Sequence, residues 1–216
     1  MPAARLAAWV LPQLAPDSRT WTEAAVARVK SGGLTELGLA MARAGRRVDH
    51  LPLVPLPQGN FPSHWTADQG VRVLLAASLP WDPAARWLKD LDTLFSCAEV
   101  QESIALYQGL AFLPRPDLLA PRGAVGLRSS IESVWAAVAL DNPFPGRHLE
   151  PAACRQMIMK GLFLGADVRR IIGLEAMTDG ELGRMLRDFA RERNAAGRPL
   201  PSHFDAVLSL CPSAHP

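Results

Sequence analysis

The sequence has little cysteine and little net charge, and each shortage excludes a class of protein. Its 216 residues include three cysteines, Cys97, Cys154 and Cys211, which lie too far apart for a disulfide framework or a zinc knuckle. The 23 basic and 21 acidic residues leave a formal charge of +2 without the basic stripe of a nucleic-acid-binding protein. We therefore predict a folded protein of the reducing cytoplasm with no nucleic-acid partner.

Long hydrophobic runs are also missing. No stretch approaches the roughly 18 apolar residues of a membrane-spanning helix, and the sequence has no lipidation motif or basic amphipathic helix. Residues 6–15 have the length of a signal-peptide core, but Trp9, Pro12 and Gln13 interrupt the apolar stretch. We predict a first core helix here, no direct membrane insertion, and membrane association only through a protein partner.

The commonest catalytic and cofactor signatures are absent as well. There is no Gly-x-Gly-x-x-Gly, Gly-x-x-x-x-Gly-Lys-Ser/Thr, His-Glu-x-x-His or Gly-x-Ser-x-Gly motif, which removes the usual nucleotide, zinc and serine-hydrolase sites. Asp90 and Asp92 are interpreted as a solvated surface pair. His203, Cys211 and His215 could share a metal, but a frayed terminus is favoured because a structural site needs a fourth ligand. We expect no metal site and no cofactor.

What the sequence does contain is a succession of helix signals. Thr66 and Gln69 have the spacing of a capping box. Gly33 can end the helix that is predicted over residues 18–30. Strand-like alternation is nearly absent. The prediction is an all-α fold of about nine to eleven short helices, arranged as antiparallel helical hairpins in a compact bundle or a short HEAT-like array, with 1–216 as one domain. Helices are predicted over 18–30, 35–44, 66–78, 83–95, 99–113, 119–140, 150–164, 179–196 and 202–210.

Residues 46–65 are the exception to the helical pattern. Four prolines, Pro52, Pro55, Pro57 and Pro62, exclude a helix there. We predict that this Pro-rich strap crosses the helices and is held by its apolar side chains, and connections of this length are often functional.

A few polar residues stand in otherwise apolar helices and are candidates for a site. Residues 151–163 are predicted to be the central helix, because apolar side chains spread around it. Gln156 and Lys160 are four apart and share one face, where a buried ammonium without a partner is costly. The change Lys160→Met should then leave stability similar or higher. The alternative is that Lys160 reaches solvent or pairs with a carboxylate for packing only.

Two arginines leave a similar choice open. Arg193 continues the inner face of the last long helix, with Glu192 at its edge, and either faces a cleft or stabilises the last turn through the helix dipole. Arg128 lies beside apolar residues of the predicted helix 119–140, and a structural role is favoured for it.

Several short motifs, taken in order, resemble those of the EboA family over most of the chain. They include Leu106-Tyr107-Gln108-Gly109-Leu110, Gly126-Leu127-Arg128, Asp141-Asn142-Pro143-Phe144-Pro145, Gln156-Met157-Ile158-Met159-Lys160 and Glu192-Arg193, together with Asp68-Gln69 and Val71-Arg72-Val73-Leu74-Leu75.

The resemblance implies a helical protein encoded in a bacterial gene cluster that makes or exports secondary metabolites. It also implies partners from that cluster: a UbiA-type membrane prenyltransferase, a TatD-like metal hydrolase, a sugar-isomerase-like barrel and a dehydroquinate-synthase-like enzyme. It carries no catalytic role for any residue.

The polar residues that match these motifs are predicted to line a ligand site. They are Gln108, Arg128, Asn142, Gln156, Lys160, Glu192 and Arg193. The chain departs from the family pattern in two places. Cys154 and Arg155 stand where the family has an aromatic residue and an Asn, and Arg191 and Asn194 stand where it has a His and a Trp. These substitutions could alter the choice of ligand.

Three functions remain open at this point. A non-catalytic accessory protein that binds a small oxygenated or anionic metabolite, or docks to the pathway enzymes, is favoured because the candidates include no recognisable nucleophile or metal set. An enzyme would use Lys160 as base or Schiff-base amine and Glu192 as acid or base. A purely structural scaffold is the third.

Overall fold

The computed structural model describes residues 2–55 and 64–212, and in this part of the chain every regular element is helical. Twelve α-helices alternate with short 3-10 turns, and the only β-type pairing described is an isolated bridge between Pro52 and Thr66. The predicted all-α fold class is confirmed. The described residues up to Leu119 form one compact unit and those from Ala120 form another, and the single domain stays a prediction.

The N-terminal unit contains five α-helices, which are α1 (Pro2–Val10), α2 (Pro16–Arg47), α3 (Ala67–Ala77), α4 (Ala84–Cys97) and α5 (Val100–Gln108). Helix α2 is broken at Gly33, whose φ of 63° lies in the left-handed region that glycine adopts without a steric penalty. The predicted break is thereby confirmed, but the second part of α2 continues past Gly45 to Arg47.

Helix α3 is the most deeply buried element of this unit. Every one of its residues except Gln69 is buried, and it packs against α1, α2 and α5. The Thr66 backbone N–H donates to Gln69 Oε1 at 3.0 Å, which confirms the predicted capping box. The helix that is buried on nearly all sides is therefore α3. The prediction had given this place to residues 151–163.

The described part of the Pro-rich strap is anchored to α1 and to the start of α3. Leu53 is buried, and the Ala67 N–H at the start of α3 donates to the Leu51 carbonyl at 2.8 Å. Trp9 Nε1 donates to the Val54 carbonyl at 2.9 Å. Residues 56–63 lie outside the described residues.

The C-terminal unit contains seven α-helices, which are α6 (Ala120–Arg128), α7 (Glu132–Ala139), α8 (Phe144–His148), α9 (Pro151–Leu164), α10 (Leu174–Met177), α11 (Gly180–Ala195) and α12 (Phe204–Leu210). The single helix predicted over 119–140 is wrong, because the chain leaves the helix after Arg128. The Ile131 N–H donates to Ser129 Oγ at 3.1 Å, a local bond that competes with the helical hydrogen-bond pattern.

Helix α9 has one buried face, so the prediction that it is the apolar central helix is wrong. Its buried residues repeat at helical spacing, at Cys154, Met157, Ile158, Gly161 and Leu162. The other side is accessible, and the Phe163 side chain is 72% exposed. The sequence composition hid this asymmetry, since the accessible face carries alanine, methionine and phenylalanine beside its polar residues.

Gly161 sets the distance at which α9 packs against the rest of its unit. A Cβ atom at this position would lie 2.7 Å from Val168 Cγ1 and 3.0 Å from Trp135 Cη2. Both of those side chains are fully buried, so neither can move aside without disturbing the core.

We expect Gly161→Ala to destabilise the protein by about 1–3 kcal/mol, because the added methyl group overpacks this contact. The matched control is Gly38→Ala, since no atom lies within 4 Å of a Cβ atom there. The control should stabilise the helix by about 0.5–1 kcal/mol. Urea denaturation of both variants measures the difference, and equal effects would contradict this account of the packing.

Candidate functional site

A cleft of about 670 Å³ lies between α6 and α9 in the C-terminal unit. Its apolar surface comes from alanine, leucine and methionine side chains, and its polar groups come from two cations and an amide. The lining residues described are Ala124, Leu127, Arg128, Ala152, Ala153, Gln156, Met157 and Lys160. Three of the seven predicted site residues, Arg128, Gln156 and Lys160, therefore meet at one cleft, and no carboxylate is among its described lining residues.

Helical spacing explains how α9 contributes to the cleft. Ala152, Gln156 and Lys160 follow one another at intervals of four residues, so they form a single ridge on the accessible side of the helix. Helix α6 contributes its last turn, from Ala124 to Arg128. The end of α6 at Arg128 thus places a guanidinium at the margin of the cleft.

Lys160 makes the main polar contact between the two helices. Its Nζ donates to the Leu127 carbonyl at 2.8 Å and to the Ser129 carbonyl at 2.7 Å. Carbonyls at a helix C-terminus lack intrahelical donors and carry partial negative charge, so an ammonium there is stabilising. Lys160 thus has a structural partner, which is the backbone of α6. Its third proton has no acceptor among the described residues.

The other two polar side chains of the cleft are free to bind a ligand. Arg128 and Gln156 are both exposed, and neither side chain makes a hydrogen bond or ion pair with the described residues. A guanidinium and an amide in this state offer directed donors to an incoming oxygen atom.

Three of the predicted residues lie elsewhere in the same unit. Asn142 is buried; its Nδ2 donates to the Ala137 carbonyl and its Oδ1 accepts the Phe144 N–H, both at 2.9 Å. Arg193 donates from Nε and Nη2 to the Pro199 carbonyl, at 3.0 and 2.6 Å. Glu192 is exposed on α11. None of them is a described lining residue of the cleft, and the full set stays a prediction.

Gln108 belongs to the N-terminal unit, at the end of α5. Its Oε1 is buried and has no hydrogen-bond partner among the described residues. A buried carbonyl oxygen without a donor is unfavourable. Gln108 is not a described lining residue of the cleft, and its place in a ligand site stays a prediction.

Two of the four positions that depart from the family pattern, Cys154 and Arg155, are engaged within the protein. Cys154 is buried, and burial raises the pKa of its thiol. Arg155 Nη1 donates to Asp179 Oδ2 at 2.6 Å, and Asp179 caps α11 by accepting the Leu182 N–H at 2.8 Å. That backbone hydrogen bond, with the Arg155 contact, holds the pKa of Asp179 below its ordinary value. Neither Cys154 nor Arg155 is a described lining residue of the cleft.

One buried charge cluster was missed in the sequence analysis. Asp68 and Arg72 are only 4% and 6% exposed, and they form an ion pair within α3. Thr66 Oγ1 donates to Asp68 Oδ1 at 2.6 Å, and His50 Nδ1 lies 3.0 Å from the same oxygen. The i, i+4 spacing of opposite charges in an apolar helix could have revealed this pair.

The cluster lowers the pKa of Asp68. Burial raises this pKa, but the hydrogen bonds from Thr66 and His50 and the charge of Arg72 together outweigh it. The carboxylate therefore stays ionised in the folded protein and compensates the buried guanidinium.

Metal and membrane features are not found in the described residues. His203 Nε2 lies 3.6 Å from Asp167 Oδ1, but no group of three or more His, Cys, Asp or Glu residues in 2–55 and 64–212 is placed to hold a metal. His215 lies outside these residues. None of the described helices combines the length and apolar character needed to cross a bilayer.

Lys160→Met should destabilise the protein by about 1–2 kcal/mol, because it removes two charge-assisted hydrogen bonds from the end of α6. The sequence alone predicts similar or higher stability for this variant, because an unpaired ammonium is costly to bury. Lys89→Met is the control, since Lys89 is exposed and its replacement should change stability by less than about 0.5 kcal/mol. Chemical denaturation measures both, and a Lys160→Met protein as stable as the control would show that the α6 carbonyls do not need the ammonium.

Asp68→Asn should destabilise the protein by about 3 kcal/mol at neutral pH, because it leaves a buried guanidinium uncompensated. Since the folded state lowers the pKa of Asp68, its contribution is present above the ordinary pKa and is lost as the pH falls below about 4. The variant should consequently lose less stability than the wild type between about pH 5 and pH 3. Denaturation at several pH values tests this. Asp49→Asn, at an exposed position, should keep the wild-type pH dependence.

A comparison with known proteins supports the family resemblance that the ordered motifs indicate. The family model described as metabolite traffic protein EboA matches residues 3–208, a range that includes all seven candidate residues and the whole cleft. No curated protein and no solved structure matches the chain. The extent of the family match is decisive, and the chain belongs to the EboA family.

Proposed function

We propose that this protein is a small-molecule binding protein and that its α6–α9 cleft takes an anionic or multiply oxygenated metabolite. The observation that carries the proposal is the charge of the cleft. Its described lining residues include Arg128 and Lys160 and no carboxylate. A site with two cations and no internal counter-ion favours a ligand that brings the negative charge.

Each polar group has a distinct part in this binding. The Arg128 guanidinium can donate two parallel hydrogen bonds to a carboxylate or phosphate. The Lys160 ammonium is held by the Leu127 carbonyl in the last turn of α6 and by the Ser129 carbonyl just after it, and it directs its remaining proton to the ligand. The Gln156 amide, one turn before Lys160 on the same ridge, adds either a donor or an acceptor.

Reversible binding suits the family's description as a metabolite traffic protein. Transport of a metabolite between enzymes needs a site that takes up and releases its ligand without altering it. Docking to enzymes of the same pathway, including a membrane prenyltransferase, is part of this proposal as a means of delivery.

Catalysis by Lys160 and Glu192 has less support. Acid–base catalysis requires both groups within hydrogen-bonding reach of one substrate. Lys160 lines the cleft, whereas Glu192 is an exposed residue of α11 outside the described lining. A purely structural role accounts for the two hydrogen bonds of Lys160 but gives no use to the cleft that it lines.

Titration of the isotope-labelled protein with inorganic phosphate, followed by nuclear magnetic resonance, tests the proposal. Amide signals of α6 and α9 around the cleft should shift, and Arg128→Gln should weaken the binding by about fivefold or more. Arg147→Gln, which removes an exposed arginine of α8, should leave the affinity unchanged. Shifts that lie elsewhere, or equal weakening by both variants, would contradict the proposal.

A further inference from the structure

We propose that the ligand of the α6–α9 cleft is an amphiphile, with a compact anionic head and an apolar body of about eight carbon atoms. This inference rests on the proposed function and adds the shape and polarity of the ligand. It follows from the position of the two cations at one end of the cleft and of three alanines toward the other, with the Gln156 amide between them.

The two cations lie at one end of the cleft. Arg128 is the last residue of α6, and Lys160 donates to the carbonyls of Leu127 and Ser129 at the same helix end. The C-terminal parts of α6 and α9 therefore lie side by side. An anionic head bound here meets the guanidinium and the ammonium together.

The other end of the cleft is apolar. Ala152 and Ala153 stand in the first turn of α9, and Ala124 stands one turn before Arg128 on α6. At a rise of 1.5 Å per residue, Ala152 lies about 12 Å along the helix from Lys160. An anionic head followed by an extended chain of about eight carbon atoms matches that length.

The small side chains make this end a trough. Alanines on both helices leave space between the backbones, and the almost fully buried Met157 side chain forms an apolar floor of the cleft. A purely polar anion such as phosphate would leave the trough in contact with water. An alkyl chain would remove its own surface and the surface of the trough from water. This removal is the main source of affinity for apolar groups.

The test compares ligands that share the head or the chain. Calorimetric titrations use octyl phosphate, inorganic phosphate and octanol. Each buried methylene contributes roughly a fourfold gain in affinity, so octyl phosphate should bind at least about 50-fold more tightly than phosphate. Octanol, which lacks the charge, should bind at least about tenfold more weakly than octyl phosphate.

A matched pair of variants locates the chain-binding end. Ala152→Gln fills the trough with a polar side chain at an exposed helical position, so it should weaken octyl phosphate about fivefold or more and leave phosphate binding unchanged. Ala206→Gln makes the same change at an exposed position of α12, outside the cleft. It should alter neither affinity.

The outcomes separate this inference from the proposed function. Equal affinity for phosphate and octyl phosphate, with binding that still requires Arg128, would overturn the inference of an amphiphilic ligand. The proposed anion site would then stand. Equal affinity for octanol and octyl phosphate would also overturn it, because the head would then contribute nothing. Absence of any anion at the cleft would overturn both.

The source of the amphiphile is tested with vesicles. If the ligand is a free metabolite, the protein should bind monomeric octyl phosphate. It should not sediment with vesicles of phosphatidylglycerol and phosphatidylcholine. Binding to these vesicles without binding to monomeric octyl phosphate would overturn the inference, since the protein would then recognise a lipid surface.

Discussion

The contact between the Lys160 ammonium and the end of α6 organises the cleft. Helix α6 is nine residues long, and a helix of this length has little stability by itself. Its last carbonyls need donors, and the ammonium of α9 supplies them to Leu127 and Ser129. The contact ties the end of α6, which carries Arg128, to α9 across the cleft, while α6 itself packs against α7 and α8.

In the function that we propose, the same contact prepares Lys160 for its ligand. A free lysine side chain loses considerable rotamer entropy when it is held by a ligand. Here two hydrogen bonds hold the ammonium before any ligand arrives, so that cost is met by folding. The α6 carbonyls also offset part of its charge, which leaves Arg128 as the less compensated cation of the pair. The structural contact of Lys160 is thus compatible with the binding role that we propose for it.

The buried ion pair of the N-terminal unit shows the opposite arrangement. Asp68 and Arg72 are both buried, and Thr66 and His50 add hydrogen-bonding contacts to the carboxylate. Arginine in this state is part of the packing of α3. Arg128 is exposed and has no partner in the described part of its unit. Burial and pairing distinguish the structural arginine, Arg72, from the one that we propose to bind a ligand, Arg128.

The sequence by itself determined the helical class, the capping box at Thr66, the break at Gly33 and the face shared by Gln156 and Lys160. Each of these depends on local rules of backbone conformation and helical spacing, which act within a few residues. Tertiary structure decided which surfaces are covered. Only it could show that α3 is the fully buried helix, that α9 is half accessible, and that Asn142 and Glu192 lie outside the cleft. It also decided that Lys160 bonds to a backbone about thirty residues away, because such a contact depends on how helices pack and has no pattern of its own in the sequence.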